Sequence, residues 1–268
     1  MVKLYTILYK IRLSSEAAKK GTYMIRLILG FAFAVVYLIL GIVFELIALI
    51  IGLFSKKAKE KFVMVWVSVG LRGVGFFGGA KATVLHRENI PTDRAACFIG
   101  NHRSFFDIIC TYPLMKRPTG YLAKINMEHV PLLSTWMRNI HCLFLDRNDI
   151  KQGLETILKA IDLIKSGVSV FVFPEGTRCR EEGTMLPFHA GSFKIATRPG
   201  APVVPVTIVN TGAIWEDHFP IVKAQRVIID FGEPIETAGM KPADRTALPE
   251  KVRGIMMETY EKDRELIK

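Results

Sequence analysis

The chain has 268 residues, half of them hydrophobic, and a formal net charge of +11. That length suffices for one substantial core, or for one soluble domain plus a membrane anchor, and a mean hydropathy of +0.28 is high for a soluble enzyme. The charge calls for a polyanionic partner, but the basic residues are scattered and no stacking module accompanies them, so no nucleic acid is expected.

At the N-terminus Leu4, Ile7, Leu8 and Ile11 recur at helical spacing among basic residues, as in a helix lying on anionic lipid. Over residues 27–54 the one charged residue is Glu45. As a helix this run reaches about 42 Å, against a hydrocarbon core of about 30 Å. It exceeds a signal-peptide core of about 7–15 residues, and no small-residue cleavage site follows. Membrane insertion is expected. Both flanks are basic, so the positive-inside bias chooses no orientation. A helix broken near Gly41 with both ends on one side suits them, and so does a tilted span. Glu45 is expected to snorkel, pair or mark an interface. Residues 62–79 carry one charge, Arg72, and five glycines. They either pack on the membrane or form the buried lead-in to a globular domain.

After about residue 80 the pattern changes. Short apolar runs predict strands at 96–100, 120–123, 142–145, 168–173, 203–209 and 226–231. Between them a helix is predicted over 150–165, with Ile150, Leu154, Ile157, Leu158, Ile161 and Ile164 on one face. Asn148 or Asp149 caps its start, and Gly167 lies past its end. A final helix is expected over 244–266, with Pro249 in its first turns. The expected fold is α/β: a mixed sheet flanked by helices, preceded by an N-terminal hydrophobic helical anchor. Residues 1–80 form the anchoring region and 81–268 the globular domain. Cys97, Cys110, Cys142 and Cys179 form no CxxC pair, so neither a zinc site nor a disulfide framework is expected, and reduced thiols on the cytoplasmic side are the default.

Directly after the first of these strands comes Asn-His-Arg-Ser-Phe-Phe-Asp, residues 101–107. His102 and Asp107 lie five apart, which on a continuous helix separates them by about 140°. They meet if a helix begins between them, with Ser104 as N-cap and Asp107 at the third helical position. Ser-x-x-Asp is also an ordinary capping box. The chemical reading makes His102 a general base near pH 7, with Asp107 fixing its tautomer and stabilising the imidazolium. No G-x-S-x-G elbow supplies a nucleophilic serine, so the base would act on a substrate hydroxyl directly. Phe-Pro-Glu-Gly-Thr-Arg, residues 173–178, follows a second strand. Its glycine admits a ligand to the backbone, and its arginine suits bidentate phosphate binding.

Together these strings resemble the 1-acylglycerol-3-phosphate acyltransferase family, in the wider glycerophospholipid acyltransferase group. The family's Asn-His, four residues, Asp matches Asn101, His102 and Asp107, and its Phe-Pro-Glu-Gly-Thr-Arg matches residues 173–178. Phe144, Leu145, Asp146 and Arg147 match its short strand ending in Asp-Arg. Val204, Pro205 and Val206 match a later Val-Pro-Val, and residues 121–124 match a segment with a substrate-facing lysine, Lys124. His189 departs from relatives that have lysine there. The resemblance covers roughly residues 80–235. It implies a sheet-and-helix acyltransferase with His102 as base and Asp107 orienting it. It further implies that Arg178, with Glu175, Gly176 and Thr177, binds the acceptor's phosphate, and that Arg147 and Lys124 stand on the phosphate side. The expected substrates are lysophosphatidate and an acyl thioester of coenzyme A or acyl-carrier protein, with glycerol 3-phosphate or another lysophospholipid as the alternative acceptor. Anionic membrane lipid is an expected partner, and no cofactor or metal is expected.

Overall fold

The structure, a computed structural model, describes residues 2–267, with side chains from residue 21 onward. The side chains of the amphipathic stretch at residues 4–11 lie outside those described. Helix α1 (Val2–Phe54) runs unbroken through Gly41. The break comes instead at Ser55, which is extended and accepts the Ala58 amide on its hydroxyl at 3.2 Å, starting α2 (Lys56–Gly78). The two helices form an antiparallel hairpin. Phe44 stacks on Phe62 and Trp66, Tyr37 on Trp66, and Phe33 lies against Phe77. The glycines of α2 are seats for these rings. A Cβ on Gly70 would stand 2.5 Å from Tyr37, and one on Gly73 would stand 2.1 Å from Phe33.

Gly41 serves as a seat too, since a Cβ there would lie 2.7 Å from the indole nitrogen of Trp136. One turn on, Glu45 accepts a hydrogen bond from the Asn139 amide at 2.6 Å, and Ala48 is fully buried. Glu45 therefore both pairs and marks an interface. The remaining circumference of α1 is apolar and exposed, from Met24 to Phe54. Residues 62–79 combine the two roles open to them. Val63, Gly70, Gly75 and Gly78 are buried, while Val65, Val69 and Phe76 stay exposed.

The globular part follows as β1 (Ala80–Leu85), β2 (Cys97–Gly100), α3 (Phe106–Thr111), β3 (Thr119–Lys124), α4 (Leu133–Asn139), β4 (Leu143–Leu145) and α5 (Ile150–Lys165). Then come β5 (Ser169–Val172), α6 (Ala190–Thr197), β6 (Val203–Val209), β7 (Gln225–Phe231) and α7 (Pro242–Arg264). All six predicted strands are present within a residue at each end, and β1 is an addition. The sheet order is β1-β7-β6-β2-β5-β3-β4. Every pair is parallel except β6 with β7, so the sheet is mixed.

Alternate residues of each strand face opposite layers. Cys97, Ile99, Val170 and Val172 meet α6 and α7 through Phe193, Leu248, Val252 and Met256. Ala96, Phe98, Phe171 and Ile208 meet α4 and the hairpin through Trp136, Val63 and Ala48. Helix α5 has the predicted bounds, capped by Asp149, whose carboxylate accepts the amides of Lys151 and Gln152. Its C-terminal Ile161 and Ile164 are buried, whereas Ile150, Leu154 and Leu158 remain exposed. Helix α7 starts two residues before its predicted bound, with Pro242 in its first turn. Pro249 sits in its interior instead.

The chain leaves β2 towards β3 and β4 on one side, then returns through β5 to β6 on the other. β2 is thus the switch point, where the carboxyl ends of parallel strands leave a crevice.

Candidate active site

The loop after β2 is braced before it turns. Asn101 is buried, and its side-chain amide donates to the Ile208 carbonyl and accepts from the Ile208 amide, both at 2.8 Å. The chain then bends into α3, and that bend brings His102 and Asp107 together. His102 Nδ1 lies 2.8 Å from Asp107 Oδ2. The same oxygen accepts the amides of Arg103 at 2.7 Å and Ser104 at 2.8 Å, and Oδ1 accepts the Thr211 hydroxyl at 2.5 Å. The capping and orienting readings of Asp107 are therefore both true of one side chain. Helix α3 begins at Phe106, so Asp107 takes its second position rather than the third. The N-cap is Phe105 rather than Ser104, whose hydroxyl accepts the Phe106 amide from one residue further out, at 2.9 Å.

An ionised carboxylate accepts only, so Nδ1–H faces Asp107, and in the neutral imidazole the lone pair is on Nε2. Among the described residues Nε2 has no hydrogen-bond partner. The ring stacks on Phe173 with centroids 4.2 Å apart, and 14% of the side chain is exposed. The imidazole is held at one nitrogen and open at the other.

Phe173 leads from β5 into the second motif. Glu175 is buried, and its two carboxylate oxygens accept the amides of His102 at 2.7 Å and Leu186 at 2.9 Å. Both oxygens are thus committed to the backbone, and Glu175 braces the loop. Burial pushes its carboxyl above the usual value, against those two hydrogen bonds. Gly176 is left-handed at φ +70°, and a Cβ there would meet the His189 ring at 3.1 Å. Thr177 and Arg178 are exposed at the loop's edge. The Cys179 amide donates to the His102 carbonyl at 2.7 Å, which ties this loop to the one that carries His102. The Arg178 guanidinium lies 4.5 Å over the Phe105 ring and donates to Glu216 at 3.1 Å.

Lys124 ends β3 and Arg147 follows β4, both exposed, with Lys124 in register with Leu145. They stand at the same end of the sheet as His102, on the strand ends beyond β5. Neither makes a hydrogen bond or ion pair with the Arg178 loop among the described residues.

Sequence reasoning missed a third segment, the loop after β6. Thr211 reaches Asp107, Glu216 reaches Ser104, Phe105 and Arg178, and Asp217 reaches Arg103. Arg103 is itself buried, held by Asp217 at 3.0 Å and Glu182 at 2.8 Å. The sole sequence signal was three polar side chains after a central strand, more than a hundred residues from the loop they serve.

Comparison with known proteins agrees with this geometry. A family model described as Acyltransferase matches residues 81–209. A chloroplastic 1-acyl-sn-glycerol-3-phosphate acyltransferase of Brassica napus is 31% identical over 60% of this chain and 45% of that protein. The 1-acyl-sn-glycerol-3-phosphate acyltransferase of Saccharomyces cerevisiae is 30% identical over 68% of this chain and 60% of that protein. The chain thus spans about half the length of these relatives. In fold it is similar to the crystal structure of the 1-acyl-sn-glycerophosphate acyltransferase PlsC from Thermotoga maritima. The TM-score is 0.79 and the identity 23%, over 92% of this chain and 98% of that one. The loop motifs, the matched acyltransferase model and the relatives point the same way: over its globular part the chain is similar to the 1-acylglycerol-3-phosphate acyltransferases.

Proposed function

We propose that this protein transfers a fatty acyl group from an acyl thioester, carried on coenzyme A or acyl-carrier protein, to the 2-hydroxyl of 1-acylglycerol 3-phosphate, forming phosphatidate. The observation that carries the reading is the His102–Asp107 pair at 2.8 Å, with Nε2 open and the Arg178 loop tied to His102 by a backbone bond. Nε2 accepts the proton of the acceptor's hydroxyl as that oxygen attacks the thioester carbonyl. Asp107 keeps hold of Nδ1–H and stabilises the imidazolium. Collapse of the tetrahedral adduct expels the thiolate, which takes the proton back from Nε2. Ser104 is no nucleophile here, because its hydroxyl donates to Glu216 at 2.5 Å and accepts from the Phe106 amide.

Two further features support a lipid substrate. An apolar cavity of about 180 Å³ opens beside the site, lined by Leu27, Gly30, Phe31, Phe105, Phe106 and Trp215. It suits an acyl chain next to the base. The exposed apolar face of the hairpin suits a membrane, with basic flanks attracting anionic lipid on the cytoplasmic side. The globular domain grips the middle of α1 at Gly41, Glu45 and Ala48. We therefore read the hairpin as lying along one leaflet rather than crossing the bilayer.

Acceptor recognition is the test. A phosphate monoester offers nearly two charges to the Arg178 fork, whereas lysophosphatidylcholine offers one charge beside a bulky cation. The purified protein, assayed with both thioester donors, should prefer 1-acylglycerol 3-phosphate. Arg178→Ala should lower kcat/KM for that acceptor most, and Arg178→Lys should restore it in part. Equal losses on both acceptors, or none, would move phosphate recognition to Lys124 or Arg147.

A further inference from the structure

The guanidinium expected to hold the acceptor's phosphate already has an anion on it. Glu216 stands in the loop after β6, beyond residues 81–209 that the family model matches. Its Oε1 accepts the Phe105 amide at 2.8 Å and Arg178 NH1 at 3.1 Å, and its Oε2 accepts the Ser104 hydroxyl at 2.5 Å. The pair is asymmetric in exposure: 19% of the Glu216 side chain reaches solvent against 41% of Arg178. The carboxylate is therefore fixed by the catalytic loop, and the guanidinium is the open partner. Phe105 lies under that guanidinium and lends it a second hold, so Arg178 keeps its place when its carboxylate bond is exchanged.

We propose that Glu216 is a positioning residue that occupies Arg178 until the acceptor arrives, and that it sets the charge the acceptor must carry. The proposal rests on Arg178 binding the acceptor's phosphate. A phosphate monoester with nearly two charges and three free oxygens outcompetes one carboxylate for the guanidinium. A phosphodiester with one charge exchanges like for like and gains little. The same carboxylate bridges Ser104 and Phe105 to the phosphate loop, which couples acceptor binding to the loop that carries His102.

The readout is the ratio of kcat/KM for 1-acylglycerol 3-phosphate to that for lysophosphatidylglycerol, a monoanionic diester. The ratio is insensitive to the fraction of enzyme that folds. Glu216→Gln keeps an oxygen for Phe105 and Arg178 and an amide for the Ser104 hydroxyl, but removes the charge. It should narrow the ratio about tenfold, chiefly through a lower KM for the diester. Glu216→Ala loses the bridge as well and should lower kcat on both acceptors, and Gln should recover that kcat without recovering the ratio. In the Arg178→Ala background Glu216→Gln should leave the ratio unmoved. A wild-type measurement needs no variant at all. KM for the monoester should fall as pH rises through the second phosphate pKa, about 6. An unchanged or widened ratio in Glu216→Gln, or a KM flat across that pH range, would overturn the proposal. Failure of the underlying reading shows separately, as an Arg178→Ala variant that keeps the wild-type ratio.

Discussion

Asp107 does two jobs because it has two oxygens and four donors. Three converge on Oδ2 from His102, Arg103 and Ser104, and Thr211 takes Oδ1. The hydrogen bonds that start α3 therefore also fix the carboxylate that fixes the imidazole. Glu175 repeats the device on the second motif, with both oxygens on backbone amides. A different kind of acid lies away from the site. Asp263 on α7 is 1% exposed, and among the described residues neither carboxyl oxygen has a hydrogen-bond donor. Burial first, then the neighbouring Asp230, raise its pKa, while Lys262 and His86 oppose them. Folding thus favours the protonated acid. The contribution to stability is present at low pH and is lost as pH rises from about 4 through the raised value. Asp263→Asn, which is neutral at every pH, should raise Tm at pH 7.5 and have much less effect at pH 5. An equal Tm change at both pH values would show that the carboxyl is not titrating in that window.

At the scale of elements, the hairpin sets propensity against packing. In an isolated helix a Gly→Ala change stabilises by about 1 kcal/mol. Gly73 is in α2, but a Cβ there would lie 2.1 Å from Phe33. Gly73→Ala should therefore destabilise the protein, by about 1–3 kcal/mol for an overpacked contact. A detergent-solubilised variant with a Tm at or above wild type would show that α1 and α2 do not pack as described. The same contrast explains what the sequence made legible. Strands buried on both faces announce themselves as apolar runs, and α5 declares its start with Asp149. Strand β1 does not, because it is an edge strand with Lys81, Ala82 and Thr83 exposed. Gly41 looks like a helix break when read locally, and only Trp136 reveals it as a contact seat. The spacing of His102 and Asp107 was readable because both lie on one turn of chain. The contributions of Thr211, Glu216 and Asp217 were not, since they depend on which strand lies beside β2.

For the whole molecule, the hairpin and the sheet share one apolar cluster, in which Ala48 and Val63 pack with Phe98, Trp136 and Phe171. If the hairpin lies along one leaflet, its turn and the globular domain are on the same side of the bilayer. Lys56→Cys at the turn and Lys159→Cys on α5, both exposed positions, test this. The native thiols give little background: Cys97, Cys142 and Cys179 are buried, and burial pushes Cys97, Cys110 and Cys142 up to about 12. In sealed vesicles an impermeant maleimide should label both new cysteines from the same side. Labelling from opposite sides would mean that α1 crosses the membrane. Such a crossing would also require the Glu45–Asn139 hydrogen bond to break and Trp136 to leave its seat at Gly41.

Everything proposed for function returns to the open nitrogen of His102. On that proposal its loss removes the base, along with one ring stack on Phe173, while Asp107 keeps its amide and Thr211 donors. The most direct measurement is kcat for acyl transfer to 1-acylglycerol 3-phosphate by purified His102→Ala, with its Tm recorded beside wild type. The account predicts a fall of about 10²-fold or more at a nearly unchanged Tm. Retention of more than about a tenth of wild-type turnover would contradict it, and the proton would have to be taken by another group.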